Sequence, residues 1–204
     1  MKPVAVLLTV LSLAVTASTV VCAPPKSEAN ALAVRGTEAA RNRQWDEAIE
    51  DLRKAANMDR KYSPSFLAAL LGRAATYAAQ QQYPQAAADY DEALKLDSRN
   101  TTALEGRASM AMKLNDMDKA VAMYSEAIKA DPKEVRYYQY RSYIYEVKGD
   151  LKNSMADTQK ILSLQKDNSD ALARKARLEA RLAQGGDQSA APPGPPQTAP
   201  QGKP

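Results

Sequence analysis

From residue 29 to residue 168 the apolar and small side chains recur at spacings of three and four, and the whole pattern repeats every 34 residues. With Ala29, Leu67, Thr101 and Val135 opening four units, the fourth position holds Leu32, Leu70, Leu104 and Tyr138. The eighth holds Gly36, Ala74, Ala108 and Ser142, and the eleventh Ala39, Tyr77, Ala111 and Tyr145. The second half of each unit is as regular. Position 17 is apolar (Trp45, Tyr83, Met117, Leu151), followed by Ala48, Ala86, Ala120 and Ser154 at position 20. Leu52, Tyr90, Tyr124 and Thr158 stand at position 24, and Ala55, Ala93, Ala127 and Ile161 at position 27. Such spacings lay these residues on one stripe of a helix, with small side chains where a second helix approaches. Each unit is therefore expected to be two helices joined by a turn, marked most openly by Gly149-Asp150.

Proline placement checks this register independently, because a proline inside a helix costs about 3 kcal/mol. Between residues 26 and 183 the prolines are Pro64, Pro84 and Pro132. Pro64 lies in a four-residue insertion, Ser63 to Phe66, Pro84 at the start of a second helix where its missing N–H matters least, and Pro132 between units. After the fourth unit, residues 169–183 restart the first-helix pattern with Leu172 and Ala176, as a capping helix with a polar outer face would. Gly185-Gly186 stops that helix. Residues 184–204 hold six of the twelve prolines and almost no large apolar side chain, which predicts a disordered or extended tail. A solubilising role is the plain reading of the tail, and docking of its PPGPP to a proline-reading partner is the alternative.

Over residues 29–168 these positions resemble the tetratricopeptide repeat (TPR) family, whose 34-residue pattern of bulky, small and aromatic residues ends near a proline. Leu104 to Pro132 is the nearest copy. Arg60, Ser98 and Lys166 replace the proline elsewhere, and Ser154, Thr158 and Ile161 make the fourth unit the most divergent. The resemblance implies an all-α fold, a right-handed α-solenoid of helix-turn-helix repeats at 29–62, 67–100, 101–134 and 135–168, with a C-terminal capping helix at 169–183. It also implies a non-enzymatic scaffold or adaptor for a protein or peptide partner.

Residues 1–23 combine Lys2, an apolar run from Val4 to Val15 and a small-residue end, the build of a secretory signal, with 24–28 as a linker. Cleavage is expected after Ala17, Cys22 or Ala23, and export to a bacterial periplasm follows. Two alternatives stand beside it. The stretch is about long enough, at roughly 20 residues, to remain as a membrane anchor, and Cys22 offers a lipidation point, although Val21 before it fits poorly. Either would make the chain a membrane-tethered assembly factor for an envelope complex such as a pilus or outer-membrane machine, with membrane contact only if the leader is retained or Cys22 lipidated.

Composition narrows the chemistry. The 204 residues include no histidine and a single cysteine, Cys22. Imidazole acid/base catalysis, histidine triads and Cys or His metal sites are thereby excluded, and no catalytic residue, metal or cofactor is expected. A net charge of +4, or +3 once a leader carrying Lys2 is removed, argues against a nucleic-acid partner.

Position 7 carries Arg35, Arg73, Arg107 and Arg141, and an aspartate follows sixteen residues later in three units. Arg35 with Asp51, Arg73 with Asp89 and Arg141 with Asp157 are expected as ion pairs bridging the two helices of each unit, whereas Arg107 meets Met123. The acidic pairs Asp46-Glu47 and Asp91-Glu92 read as solvated faces. Asn100-Thr101-Thr102 is a formal glycosylation sequon.

In the family the concave surface is lined by first-helix positions 2, 5, 9, 12 and 13. These are mostly small in the first two units, and the slots matching the family's grip on a chaperone's terminal carboxylate hold Ala33, Thr37 and Gly72, so that clamp is not expected. The later units offer more. Glu105, Ser109, Met112, Arg136, Gln139, Tyr140 and Tyr143, with Arg174 and Arg177 from the capping helix, form the candidate groove for an extended peptide. Half of the ten tyrosines fall within Tyr137 to Tyr145; packing of Tyr140 and Tyr143 against the capping helix is the competing reading.

Overall fold

A computed structural model describes residues 25–184 together with Gly194 and Pro196. The expected leader 1–23 with Cys22, and all of the tail beyond Gln184 except those two residues, lie outside the described residues. Among the described residues there are nine α-helices and no strand. They are α1 (Pro25–Arg41), α2 (Trp45–Met58), α3 (Ser63–Ala79), α4 (Tyr83–Leu96), α5 (Thr101–Lys113), α6 (Met117–Ala130), α7 (Val135–Val147), α8 (Leu151–Leu164) and α9 (Ser169–Ala183), with a 3-10 turn at Arg60–Tyr62. Each helix packs mainly on its neighbours in the chain, so the core runs along the array instead of gathering at one centre. No helix among the described residues is long and apolar enough to cross a membrane.

Two first helices are a turn longer than the repeat pattern suggests. Residues 25–28 of the expected linker 24–28 are the opening turn of α1, and the insertion at 63–66 is the opening turn of α3. In each a proline stands where a helix tolerates it, at the first turn. The extension of α3 carries Phe66 into the core, with the Arg53 guanidinium 5.5 Å over its ring.

The turn inside every unit is built the same way. Position 15 has a left-handed backbone each time, at Arg43 (φ 58°), Gln81 (60°), Asn115 (59°) and Gly149 (77°). The next residue's N–H closes back on the carbonyl five residues earlier, as in Gln82 to Tyr77 and Asp150 to Tyr145, both 2.8 Å. The following helix is then capped by a carboxylate in two units: Asp116 accepts from the Lys119 N–H and Asp150 from the Asn153 N–H. Asn100, the sequon asparagine, caps α5 by accepting from the Ala103 N–H at 3.0 Å.

Small residues let the helices touch. Ala48, Ala86, Ala120, Ala55, Ala93 and Ala127 are fully buried at the helix crossings. In the fourth unit Ser154 takes the place of the position-20 alanine and Thr158 that of the bulky position-24 residue, neither being left unsatisfied. Ser154 Oγ donates to the Ser142 carbonyl and Thr158 Oγ1 to the Ser154 carbonyl, each at 2.8 Å. Consecutive units meet at position 6. A Cβ on Gly72 would stand 2.4 Å from the Trp45 ring, and one on Gly106 2.3 Å from the Tyr90 ring, so glycine there admits an aromatic ring from the unit before. The fourth unit places Tyr140 at that position instead.

Candidate functional site

The position-7 arginines set the frame that holds the first helices in place. Arg35 pairs with Asp51 through both carboxylate oxygens. Arg73 donates to Asp89 at 2.8 and 2.7 Å, and Arg141 to Asp157 at 2.9 and 2.7 Å. All three aspartates are buried. The hydrogen bonds from Arg35 hold the Asp51 carboxyl below its ordinary range, against burial, which pushes it up.

From the second unit onward the same arginines also reach backward. Arg73 Nη1 donates to Asp46 at 2.6 Å, Arg107 Nε to Asp91 at 2.9 Å, and Arg141 Nη1 to Ser125 Oγ at 2.8 Å. Arg107 thus has its carboxylate sixteen residues upstream, in α4, where a search downstream meets Met123. Asp46 and Asp91, expected as solvated, bind arginines of the next unit, and Glu92 pairs with Arg53 of α2.

On the first-helix face of the third and fourth units, Arg136 Nη1 of α7 reaches Glu105 of α5 at 3.3 Å while its Nε donates to Glu134. Burial pushes the Glu105 carboxyl above its ordinary range, Arg136 draws it back and Glu134 adds to the rise. Beside this pair the Tyr140 ring lies parallel to that of buried Tyr124, centroids 5.3 Å apart and planes 3° apart. Burial also raises the Tyr140 phenol, with Glu105 as a second cause. The phenol therefore stays protonated and can donate. Its acceptor is the Pro196 carbonyl, at 3.2 Å. Met112 and Tyr143 are partly buried against the cluster that contains Tyr124 and Ile144, and Ser109 is half-buried.

The remaining candidates are drawn elsewhere. Arg174 is only 6% exposed; its Nη1 donates to Ser142 Oγ at 2.7 Å and to the Gln139 carbonyl at 3.4 Å. Arg177 donates to both oxygens of fully buried Glu146. These two cations join α9 to α7 and do not complete an aromatic and basic patch with Tyr140. The structure brings together Glu105, Arg136 and Tyr140, flanked by Met112 and Tyr143. Reading the sequence missed Tyr124 as the stacking partner. The signal was available as the change from Gly72 and Gly106 to Tyr140 at one repeat position.

A second feature lies at the other end of the first-helix face. A hollow of about 580 Å³ is lined by Asn30, Ala33, Thr37, Arg41 and Tyr62 among others. Its lining mixes small residues with the charged Glu38 and Arg41 and the amides of Asn30 and Asn42.

An array of helical hairpins with a variable first-helix face belongs to the class of repeat scaffolds. The tetratricopeptide-repeat family profile matches residues 34–101, 76–135 and 106–171, and the chain belongs to that family. No curated protein matches the chain in sequence. Solved structures share the fold. A tetratricopeptide repeat protein from Parabacteroides merdae is 22% identical, with a TM-score of 0.60 over 78% of this chain and 61% of that one. YrrB, described as a TPR protein with an unusual peptide-binding site, is 15% identical, with a TM-score of 0.58 over 78% and 79%. The first TPR domain of Spaghetti (RPAP3), solved with the HSP90 peptide SRMEEVD, is 20% identical, with a TM-score of 0.53 over 57% and 93%.

Proposed function

We propose that this chain is a non-enzymatic protein- or peptide-binding scaffold that acts in the cell envelope and holds an extended segment across α5 and α7. The observation that carries this reading is Tyr140: at a position where the second and third units have glycine, it presents a half-buried ring stacked on Tyr124 and a hydroxyl placed to donate. A rigid aromatic with a polar tip, beside the Glu105–Arg136 pair, is the kind of anchor that dominates peptide interfaces. Solved relatives in fold bound to or built for peptides support the same reading. The want of histidine supports a non-catalytic role.

Recovery of a partner from envelope extract by the wild-type chain, compared with Tyr140→Ala and Tyr143→Ala, tests it. Truncating a central aromatic anchor costs about 2 kcal/mol, roughly a thirtyfold loss of affinity. Unchanged recovery by variants that keep the wild-type helical melting curve refutes the site.

Export to the periplasm is the compartment we propose, supported by the pattern of residues 1–23. Mass analysis of the mature N-terminus decides it: an intact Met1 or a lipid on Cys22 would replace the soluble form by the tethered assembly factor.

A further inference from the structure

We propose that the Tyr140 surface reads proline-rich, extended backbone and that its occupant in the free protein is the chain's own tail, seated through Pro196. This rests on the reading of the α5–α7 face as a peptide surface and names the class of peptide it takes. The contact that carries it is the hydrogen bond from the Tyr140 hydroxyl to the Pro196 carbonyl at 3.2 Å, with Pro196 half-buried.

The chemistry of the two partners is matched. A proline has no N–H, and a polyproline II backbone forms no internal hydrogen bonds, so its carbonyls stand free as acceptors. A protonated tyrosine hydroxyl is a donor for such a carbonyl, and the ring gives the flat apolar surface on which a pyrrolidine packs. Stacking on Tyr124 holds the Tyr140 ring in one orientation before any ligand arrives, which reduces the ordering cost of binding. The tail supplies the ligand: Pro192, Pro193, Pro195 and Pro196 surround Gly194.

Tethering makes even a weak contact count. Arg181, three residues before Gln184, touches Glu146 of α7. Six residues of helix separate Glu146 from Tyr140, about 9 Å along α7. Twelve residues separate Gln184 from Pro196, and extended chain of that length reaches about 37 Å. The span is thus well within the tether, and a tether of that length gives an effective concentration on the order of millimolar. A site with millimolar intrinsic affinity for proline-rich backbone is then substantially filled by the tail. A partner must displace it, so removing the tail prolines strengthens partner binding.

The test places a nitroxide on Gln197→Cys in the full chain carrying Cys22→Ser and reads amide signal loss by NMR. The expected result is selective loss at Ser109, Tyr140 and Tyr143 relative to α1, unchanged on dilution. Added peptide of sequence PPGPPQTA should restore those signals, and so should Pro195→Ala with Pro196→Ala, which leave the array untouched. Tyr140→Phe, which keeps the ring, should weaken the loss. Uniform loss over all helices overturns the proposal, and selective loss that fades on dilution overturns it in favour of the tail of a second copy. Should Tyr140→Ala abolish partner recovery while the nitroxide shows no selective loss, the tail inference fails and the peptide surface stands.

Discussion

Arg177 donates to the two oxygens of Glu146 at 2.8 and 3.0 Å, and that carboxylate is completely buried between α7 and α9. Arg174 and Arg181 approach it as well, at 3.6 and 3.5 Å, and both are themselves buried. One anion therefore holds three cations of the capping helix. Burial lowers the Arg174 pKa, and Glu146 acts against that shift.

Removing the anion leaves buried guanidinium groups without compensation. Glu146→Ala is expected to cost about 3–5 kcal/mol, read as a shift of the urea midpoint, and to expose α9 first to hydrogen exchange. Equal protection of α9 and α7 in the variant would contradict the role given to Glu146.

The arginine frame should be graded by burial. Asp89→Ala breaks a bidentate pair whose aspartate side chain is 6% exposed and is expected to cost about 3 kcal/mol. Asp91, 43% exposed, makes a single bond to Arg107, and Asp91→Ala should cost less than about 1 kcal/mol. Equal losses in denaturant titrations would show that burial does not set the ranking.

The repeated left-handed turn predicts a gain. Gln81 holds φ at 60°, where a side chain costs roughly 1–2 kcal/mol and glycine costs little. Glycine adds unfolded-chain entropy, so Gln81→Gly should stabilise by about 0.5–1 kcal/mol, whereas Gly149→Ala should destabilise. Thermal melts of the two variants moving in the same direction would refute this.

Two carboxylates should give opposite pH signatures. Asp51 is held below its ordinary pKa, so its contribution is present at neutral pH and lost as pH falls through that lowered value. Asp51→Asn is thus expected to be weaker than wild type at pH 7 and to converge with it in acid. Glu105 is raised, so the folded protein binds the extra proton and stability falls as pH rises through its pKa. Glu105→Gln should be more stable than wild type at pH 7, with the difference gone below about pH 4. Midpoint against pH for both variants checks the signs.

Much of the fold was legible because a 34-residue repeat displays each packing position four times. The alanines at positions 20 and 27 mark helix crossings, and a spacing of sixteen marks the arginine and aspartate that face each other within a hairpin. The candidate site was legible in part. Tyr140 stands out by composition, but a hairpin-by-hairpin reading left Tyr124 beneath it unnoticed and sent Arg174 and Arg177 to the surface.

The amino-acid order by itself determined the period, the helices, the proline-compatible breaks and the absence of imidazole chemistry, because these depend on local geometry and residue type. Tertiary structure alone decided what crosses from one unit to the next: Asp91 on Arg107, Tyr124 under Tyr140, Glu146 among three arginines and Pro196 against the tyrosine hydroxyl. Those contacts depend on how far and at what angle each hairpin is set against its neighbour. Side chains packed at the junctions fix that angle, and no repeat position within one unit encodes it.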